Sequence, residues 1–437
     1  MRLRGRLGAL EEREFRLLWL SRVVSDFGDR FGTIGLAFAV LAIETSAAAL
    51  AYVLAARTVA SIALFLVAGV WADRLPRQRV MLASDIGRGI AMAATAALLL
   101  TGRAEIWHLV ALAAVYGAAE AFFGPASQGL LPQTVSPPRL QQANGLMSLS
   151  RNATAIAGPA AAGVVIALSS PGWAIAVDAA TFAVSAAFLL RMRVAFTRPP
   201  KQTFLSDLRE GWSEFTRQTW VWTCVGHFAL FQFAAIAPFL VLGPLIAEEE
   251  LGGASAYATI MVFGGIGSVI GSLAAIRFRP DRQLVAAFLS LLIWTSVLIA
   301  YAVAAPVLVI SSFALVAAAG MNFAGTIWFT ALQQHVPQHA LSRVSSYDWA
   351  GSVLFLPLGY ILVGPLADQF GAGDVLYGAA AWTVCSSLAI LAIPSVRNLR
   401  AVSDAPPPDE GTPDGTRDRP DDLRTLSGVG EGDPTRR

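Results

Sequence analysis

The sequence is poor in the residue types that build disulfides, metal centres and hydrolytic sites. Its 437 residues include one lysine, two cysteines and four histidines. Cys224 and Cys385 fall in or beside separate apolar stretches, so we expect neither a disulfide framework nor a cysteine metal site. His335 and His339 have the spacing of a helical metal pair, but Pro337 between them breaks the helix that such a pair needs. We therefore expect no metal site.

An ATP-driven pump is disfavoured, because the sequence has no Gly-x-x-x-x-Gly-Lys-Ser/Thr phosphate loop and Lys201 is its only lysine. None of the four histidines is paired with a cysteine or an acidic cluster at the spacing of a metal site, so we expect no enzyme and no cofactor. Only 14% of the residues are charged, 55% are hydrophobic and the mean hydropathy is +0.58. This leaves too little polar surface for a water-soluble chain of this length, and a lipid bilayer must surround it.

Apolar stretches long enough to cross a bilayer recur along the chain, since about 20 apolar residues suffice for a helix. Backbone groups that face lipid must be satisfied within their own segment, which requires helices. We predict an all-α polytopic membrane protein with twelve transmembrane helices. The predicted spans are 16–43, 47–70, 79–101, 106–128, 143–168, 172–191, 219–247, 254–277, 284–304, 307–331, 345–367 and 373–395.

The basic residues outside these spans lie almost entirely in alternate connections. One side holds those at 2–16, 74–79, 139, 191–217, 277–282, 343 and 397–400, whereas the other side holds Arg103. Lysine-rich and arginine-rich loops resist translocation, so the arginine-rich side is predicted to be cytoplasmic. We expect a multi-pass plasma-membrane protein with both termini in the cytoplasm. Its first span lacks a small-residue cleavage site and is interpreted as an anchor that is not removed.

The longest internal connection divides the spans six and six. We predict an N-terminal six-helix bundle at 1–191, a cytoplasmic linker at 192–218, a C-terminal six-helix bundle at 219–396 and a disordered cytoplasmic tail at 397–437. Within the linker, apolar residues at helical spacing indicate either an amphipathic helix on the membrane surface or a solvated linker helix. These residues are Phe204, Leu208, Trp212 and Phe215.

The two halves also resemble distant copies of each other. A shift of 201 positions aligns three glycine pairs, and glycine permits close helix packing. Such a repeat indicates two bundles facing each other across a central pathway. The pairs are Gly124 with Gly325, Gly158 with Gly359 and Gly163 with Gly364.

The connection between spans two and three reads Gly69-Val-Trp-Ala-Asp73-Arg74-Leu-Pro-Arg77-Gln-Arg79. It resembles the Gly-x-x-x-Asp-Arg-x-x-Arg-x-Arg signature of the major facilitator superfamily, with proline where the general pattern prefers glycine. The resemblance covers about 380 residues and implies two six-helix bundles that alternate access. It also implies that this motif latches the bundles together on the cytoplasmic side against the start of span eleven. The alternative is that the arginines only set topology.

Three further stretches resemble the branch that includes macrolide-efflux and enterobactin-exporter-like proteins. They are Phe122–Ala126, Val177–Phe182 and Arg343–Asp348. The resemblance favours export over import. In span five, Gly158, Pro159 and Gly163 resemble the antiporter motif of exporting members. Pro159 removes a backbone hydrogen bond there, so a bend at the bundle interface is expected.

Ionisable residues inside the spans concentrate in the first half. Such residues cost roughly 2.5–3.5 kcal/mol each at a helix centre, so they indicate function or pairing. Arg22 with Asp26, and Asp85 with Arg88, have helical pairing distances. The cations in these spans are Arg22, Arg30, Arg57, Arg88 and Arg151, and the anions are Asp26, Asp29, Asp85, Glu120 and Asp178.

Asp29 and Glu120 lack a partner at helical spacing on their own spans. A carboxyl group withdrawn from water can exchange a proton when access switches sides. Our hypothesis is that Asp29 and Glu120 couple transport to protons and that Arg57 competes with the proton, with Asp178 a further candidate. The alternative is a fixed network among Arg57, Asp29 and Glu120. Neither needs a cofactor besides the proton gradient.

The resemblance places the substrate cavity among spans one, four, seven and ten. An apolar wall with few polar groups suits an amphiphilic or aromatic compound better than a sugar. Aromatic residues in such helices are ordinarily packing residues, which is the alternative for each candidate. The candidates are Tyr116, Phe231, Gln232, Asn322, Trp328 and Phe329.

The sequence thus predicts a proton-coupled exporter, an antiporter for a drug, siderophore or natural product, acting by alternating access. The alternatives are an uncoupled facilitator or importer, and a membrane receptor or scaffold that moves nothing. The expected partners are a small-molecule substrate and the lipid bilayer, without nucleic acid. By resemblance we expect a monomer.

Overall fold

A computed structural model describes residues 4–194, 212–278 and 280–401. These residues form twelve long helical stretches, which confirms the predicted fold class. The stretches are α1 (Arg13–Ile43), α2 (Ala47–Arg74), α3 (Arg77–Leu100), α4 (Ile106–Leu130), α5 (Leu140–Leu168), α6 (Pro171–Leu190), α7 (Thr219–Leu251), α8 (Ala254–Arg277), α9 (Gln283–Ala302), α10 (Val307–His335), α11 (Gln338–Val353 with Leu356–Phe370) and α12 (Ala372–Ala392).

Eleven of these stretches are long and apolar enough to cross a membrane by length and hydropathy. The exception, α1, is 31 residues long but carries four ionisable residues in its middle. Those four residues are Arg22, Asp26, Asp29 and Arg30. Arg22, Asp26 and Asp29 contact charged or polar side chains of α1, α3 and α4.

The helices pack as two bundles of six. In the first bundle α1 lies against α5 and α6, α2 against α4, and α3 against α4 and α6. In the second bundle α8 lies against α10, and α9 against α10 and α12. The pairs α5–α8 and α2–α11 join the bundles. The last residues before α7 contact α11, since Trp212 and Phe215 lie 5.5 and 5.8 Å from Tyr347, ring centre to ring centre.

The predicted domain boundaries stay a prediction. Residues 195–211 lie outside the described residues, so Phe204 and Leu208 of the predicted linker helix are not described. The predicted tail is described only as far as Ala401, whose amide donates to the carbonyl oxygen of Asp281 at 2.8 Å.

The glycine pairs identified by the repeat occupy equivalent places in the two bundles. A methyl group added at Gly158 would lie 2.5 Å from Arg30 of α1, and one added at Gly359 would lie 2.6 Å from Ala237 of α7. Both glycines therefore let the fifth helix of a bundle approach its first helix closely. This equivalence supports the repeat predicted from the sequence.

The pair of Gly163 and Gly364 lies where the two bundles meet, at the contacts α5–α8 and α2–α11, which we call the joint. A methyl group at Gly163 would lie 2.5 Å from the Cβ of Ala258 on α8, and one at Gly364 would lie 2.7 Å from the Cα of Ala48 on α2. Each fifth helix thus packs through a glycine against the second helix of the other bundle. These contacts allow no side chain at either position without a shift of the helices.

Within the first bundle, Gly117 controls the approach of α4 to α2. A Cβ there would lie 2.0 Å from the carbonyl oxygen of Arg57, whereas a Cβ at Gly124 meets nothing within 4 Å. We expect Gly117→Ala to lower the melting temperature of the detergent-solubilised chain, because overpacking costs about 1–3 kcal/mol. Gly124→Ala is the matched control and should leave it unchanged or raise it. Equal shifts in both variants would contradict this packing.

The two ends of the molecule differ in charge and in packing. We call the end where α1 begins and α12 ends the arginine-rich end and the opposite end, with Glu248, Glu249 and Glu250, the acidic end. At the acidic end one apolar cluster includes residues of both bundles, and the rings of Phe38 and Tyr257 lie 5.8 Å apart across the joint. The bundles are therefore closed together at the acidic end.

At the arginine-rich end, the described apolar residues form two separate clusters, one in each bundle. A contact across the joint there is the stack of Phe65 of α2 on Trp349 of α11, with ring centres 4.1 Å apart. The apolar cluster shared by both bundles thus lies at the acidic end, whereas the described clusters at the arginine-rich end each belong to one bundle.

Candidate functional site

Five helices of the first bundle bring a set of carboxyl and guanidinium groups together inside the membrane-spanning region. We call this set the charged cluster. All seven residues are candidates from the sequence, but the contacts between them join five different spans and are seen only in the structure. The members are Asp29 of α1, Arg57 of α2, Asp85 and Arg88 of α3, Tyr116 and Glu120 of α4, and Asp178 of α6.

Arg57 and Glu120 form a two-bond ion pair between α2 and α4. The Nε and Nη2 atoms of Arg57 donate to the two carboxylate oxygens of Glu120 at 3.0 and 2.8 Å. The guanidinium also lies 4.4 Å from the ring centre of Tyr116. Paired hydrogen bonds of this kind are strong and directional. In this state Glu120 is therefore held as the partner of Arg57.

Arg88 is buried on α3 and is shared between two carboxylates. It contacts Asp85 at 2.5 Å and Asp29 at 3.6 Å, and Asp85 also accepts a hydrogen bond from Ser185 at 2.5 Å. The ring centre of Phe182 lies 4.5 Å from its guanidinium carbon. The helical pair Asp85 and Arg88 expected from the sequence is thus present.

Asp29 links α1 to α3 and α4. Its Oδ1 atom accepts a hydrogen bond from the Tyr116 hydroxyl at 2.7 Å and also faces Arg88. The side chain keeps 29% of its surface exposed. The sequence predicts no partner for Asp29 on its own span. Its partners in the structure, Arg88 and Tyr116, lie on α3 and α4.

Asp178 differs from the other carboxyl groups. It is fully buried, and among the described residues neither side-chain oxygen has a hydrogen-bond partner. Gly28 and Gly32 of α1 make room for it, since a Cβ at Gly32 would lie 2.1 Å from its Oδ2 atom. A narrow cavity of about 10 Å³, with room for about one water molecule, is bordered by Asp178, Arg57 and Tyr116. Asp178 and Arg57 therefore line the same small cavity.

The charged cluster contains more acids than cations. Its four carboxyl groups share two guanidiniums, and Glu120 occupies one while Asp85 and Asp29 share the other. An ionised carboxylate without donors in an apolar site is strongly disfavoured. The arrangement can therefore hold a proton on Asp178 and release it when a cation approaches.

The latch motif is described only in part. The backbone of α2 is helical through Arg74, but the surroundings of Gly69 and the side chains of Asp73 and Arg74 lie outside what the structure describes. Arg77 donates to the carbonyl oxygen of Gly129 at 2.7 Å within its own bundle, and Arg79 is exposed. The latch role of all five motif residues stays a prediction.

The predicted bend in span five also stays a prediction. The helix α5 is continuous through Pro159. Gly158 and Gly163 are buried at contacts with α1 and α8 respectively. Their position at the bundle joint agrees with the place expected for the motif.

Three of the substrate-cavity candidates are buried in this state. Tyr116 is bonded to Asp29, and the ring of Phe231 lies against Trp294. Trp328 donates to the Oδ2 atom of Asp348 at 3.1 Å. A substrate could reach these three side chains only after neighbouring residues move, and their substrate role stays a prediction.

The other three candidates are more accessible. Phe329 is 55% exposed, and Gln232 begins a π-helical turn in α7. Asn322 donates to the hydroxyl of Ser268 at 2.9 Å. Their role in binding also stays a prediction.

Sequence reasoning missed three features of these sites. It did not find the hydrogen bond from Tyr116 to Asp29, nor the pair of Trp328 and Asp348, because each joins residues of different helices. It also missed the niche around Asp178. The spacing of Gly28 and Gly32, one helical turn apart on α1, was the available signal for a close approach.

Two six-helix bundles with a charged cluster inside one of them are typical of a polytopic membrane transporter. The sequence matches the profile of the Major Facilitator Superfamily over residues 18–349. The chain belongs to this superfamily.

Similar proteins agree with this assignment. The chain is 24% identical over 403 residues to the multidrug efflux pump Tap of Mycobacterium tuberculosis, covering 88% of this chain and 94% of that protein. It is 20% identical over 397 residues to YvqJ, an MFS-type transporter of Bacillus subtilis, covering 87% and 92%.

Solved structures share the fold. The nucleoside transporter NupG superposes with a TM-score of 0.68 at 12% identity, covering 86% of this chain and 98% of that chain. A bacterial homologue of the iron transporter ferroportin in its inward-facing state superposes with a TM-score of 0.65 at 17% identity, covering 87% and 98%. At these identities the likeness concerns the fold alone.

Proposed function

We propose that this transporter is a proton-coupled exporter of small amphiphilic compounds. The observation that carries the proposal is Asp178, a buried carboxyl group without a donor, which lines the same small cavity as Arg57. The similarity to the multidrug efflux pump Tap supports export and a drug-like substrate. The proton gradient is the energy source, and no enzymatic step is involved.

The coupling step exchanges the partner of Arg57. In the state closed at the acidic end, Arg57 is bonded to Glu120 and Asp178 keeps its proton. When α2 and α4 shift during the transition, Arg57 leaves Glu120 and approaches Asp178 through the cavity. The positive charge then displaces the proton, since an adjacent cation favours the ionised carboxyl. Glu120, once Arg57 has left it, and Asp29 are further carboxyl groups that can take up a proton during this exchange.

The arginine-rich end faces the cytoplasm in this proposal, and the acidic end, where the bundles are closed together, faces the outside. A membrane-impermeant maleimide applied to intact cells should label Glu249→Cys and should not label Arg282→Cys until the membrane is permeabilised. The background replaces Cys224 and Cys385 by alanine. The arginine bias of the loops at that end is the physical reason. Labelling of Arg282→Cys alone in intact cells would reverse the orientation.

Dye efflux from intact cells tests the function. Cells that express the chain are loaded with ethidium, N-phenyl-1-naphthylamine or 8-anilinonaphthalene-1-sulfonate, and efflux is followed by fluorescence. We expect faster efflux of at least one dye than in cells with an empty vector, and loss of this difference after an uncoupler. Efflux that is unaffected by the uncoupler would indicate a facilitator. No difference from the empty vector for any dye would indicate a receptor or scaffold.

A further inference from the structure

Two arginines in the membrane-spanning part of the first bundle have no side-chain partner among the described residues. They are Arg30 of α1 and Arg151 of α5, and both are exposed. An unpaired cation in a spanning helix is costly, so it ordinarily faces a water-filled pathway and serves a function there. Whether these two side chains face lipid or the space between the bundles therefore decides whether they can serve a function.

Arg151 lies on the side of α5 that faces away from lipid. At 100° per residue, it lies between the face that meets α1 at Gly158 and the face that meets α8 at Ala155. The polar residues Asn144 and Ser148 are exposed on the same side. The opposite side of α5 is an exposed apolar stripe formed by Leu149, Ala153, Ala157, Ala160 and Val164. Arg151 therefore faces the space between the bundles.

Arg30 faces the same space from α1. Other faces of that helix are occupied, since Gly32 meets Asp178 on α6 and Asp29 meets Arg88 on α3. The stem of Arg30 packs against Gly158 of α5. The side that carries Arg30 is therefore the one turned toward α5 and the gap between the bundles.

The positive charges lie close to a common acid. Arg22, Arg30 and Arg151 all act electrostatically on Asp26. Asp26 is already the ion-pair partner of Arg22, at 3.5 Å. Among the described residues, these three cations thus share one acid on the wall of the inter-bundle space, which leaves an excess of two positive charges there.

We propose that Arg30 and Arg151 bind an anionic group of the transported compound, a carboxylate or a sulfonate. Guanidinium groups form paired, charge-assisted hydrogen bonds with such oxyanions. The apolar part of the compound then extends toward the second bundle, where Phe329 is exposed. This inference rests on the proposed function, whose substrate class it narrows to anionic amphiphiles.

Two dyes that differ in one group test the inference. 8-Anilinonaphthalene-1-sulfonate and N-phenyl-1-naphthylamine share their aromatic rings, and only the first carries a negative charge. Their binding is measured by equilibrium dialysis against the full chain in phosphatidylcholine nanodiscs, with empty nanodiscs subtracted. We expect the sulfonate dye to bind about tenfold more tightly than the neutral dye, as charged hydrogen bonds allow.

Arginine variants locate the site. Arg30→Gln and Arg151→Gln should each weaken binding of the sulfonate dye about tenfold and leave the neutral dye unchanged. Arg30→Lys and Arg151→Lys keep the charge but lose the paired hydrogen bonds, so their affinity for the sulfonate dye should lie between that of the native chain and that of the glutamine variants. Arg103→Gln, in an exposed connection, is the matched control and should change neither dye.

Several results would overturn the inference. They are equal binding of both dyes by the native chain, no binding of the sulfonate dye, equal loss of both dyes in the glutamine variants, and an effect of Arg103→Gln as large as theirs. Failure of the proposed function is distinct from these. If the sulfonate dye binds as expected but a proton gradient moves neither dye in proteoliposomes, the site stands and the coupling fails.

Discussion

Asp178→Asn is expected to abolish proton-driven transport while the chain still folds and exchanges substrate. Asparagine matches the shape of the protonated acid but holds no exchangeable proton. Because the native carboxyl group has no hydrogen-bond donor among the described residues, the substitution removes a hydrogen-bond partner from no neighbouring group. Dye accumulation driven by a pH gradient in proteoliposomes should fall to that of empty liposomes. Dye exchange at equal pH on both sides should continue.

Glu120→Gln and Asp29→Asn are the comparison for Asp178→Asn. Glu120→Gln removes the charge that faces Arg57, so we expect slower transport with coupling retained. Asp29→Asn keeps an acceptor for the Tyr116 hydroxyl, and coupling should again persist. Normal proton-driven accumulation in Asp178→Asn, with loss in Glu120→Gln or Asp29→Asn, would assign the proton to those residues instead. Unchanged coupling in all three variants would exclude the charged cluster as the proton site.

Gly163→Leu is expected to lock the transporter open at the acidic end and to reduce efflux to background. A Cβ at this position would lie 2.5 Å from the Cβ of Ala258, so a leucine cannot fit while the bundles are closed there. The state open at the acidic end relieves the contact, and the population shifts toward it. A cysteine at Phe38, which is buried at this joint, should then react severalfold faster with a maleimide applied from outside.

Gly378→Leu is the matched control for Gly163→Leu. It lies in α12, where an added Cβ meets nothing within 4 Å, and it should leave both efflux and the reactivity of Phe38→Cys unchanged. If Gly163→Leu transports normally, or if Phe38→Cys becomes less reactive, the acidic end is not the gate that opens to the outside.

The fold was accessible from the sequence because its determinants repeat along the chain. Span lengths, the arginine bias of alternate connections and the glycine pairs can each be read from the sequence alone. In the structure, Gly158 and Gly359 make equivalent contacts in the two bundles. The predicted span ends were less accurate where helices continue beyond the membrane. The helix α2, predicted to end at 70, continues to Arg74.

The charged cluster was accessible only in part. Pairs on one helix, such as Asp85 with Arg88, follow from spacing alone. The pair of Arg57 with Glu120 joins residues 63 positions apart, and the sequence offered either a free proton carrier or a fixed network for them. Which carboxyl group lacks a partner depends on how five helices are rotated. The spacing of residues along the sequence does not determine how the helices are rotated relative to one another, so it could not identify Asp178 as the carboxyl group without a partner.

Counter-movement of protons and dye in liposomes that contain only this chain tests the account most directly. A pH-sensitive dye trapped in the lumen reports proton movement while 8-anilinonaphthalene-1-sulfonate or N-phenyl-1-naphthylamine is followed by its own fluorescence. We predict that a dye accumulates in the acidic lumen above its equilibrium level, and that an opposing dye gradient moves protons in return. Dye that equilibrates without moving protons would contradict proton-coupled export.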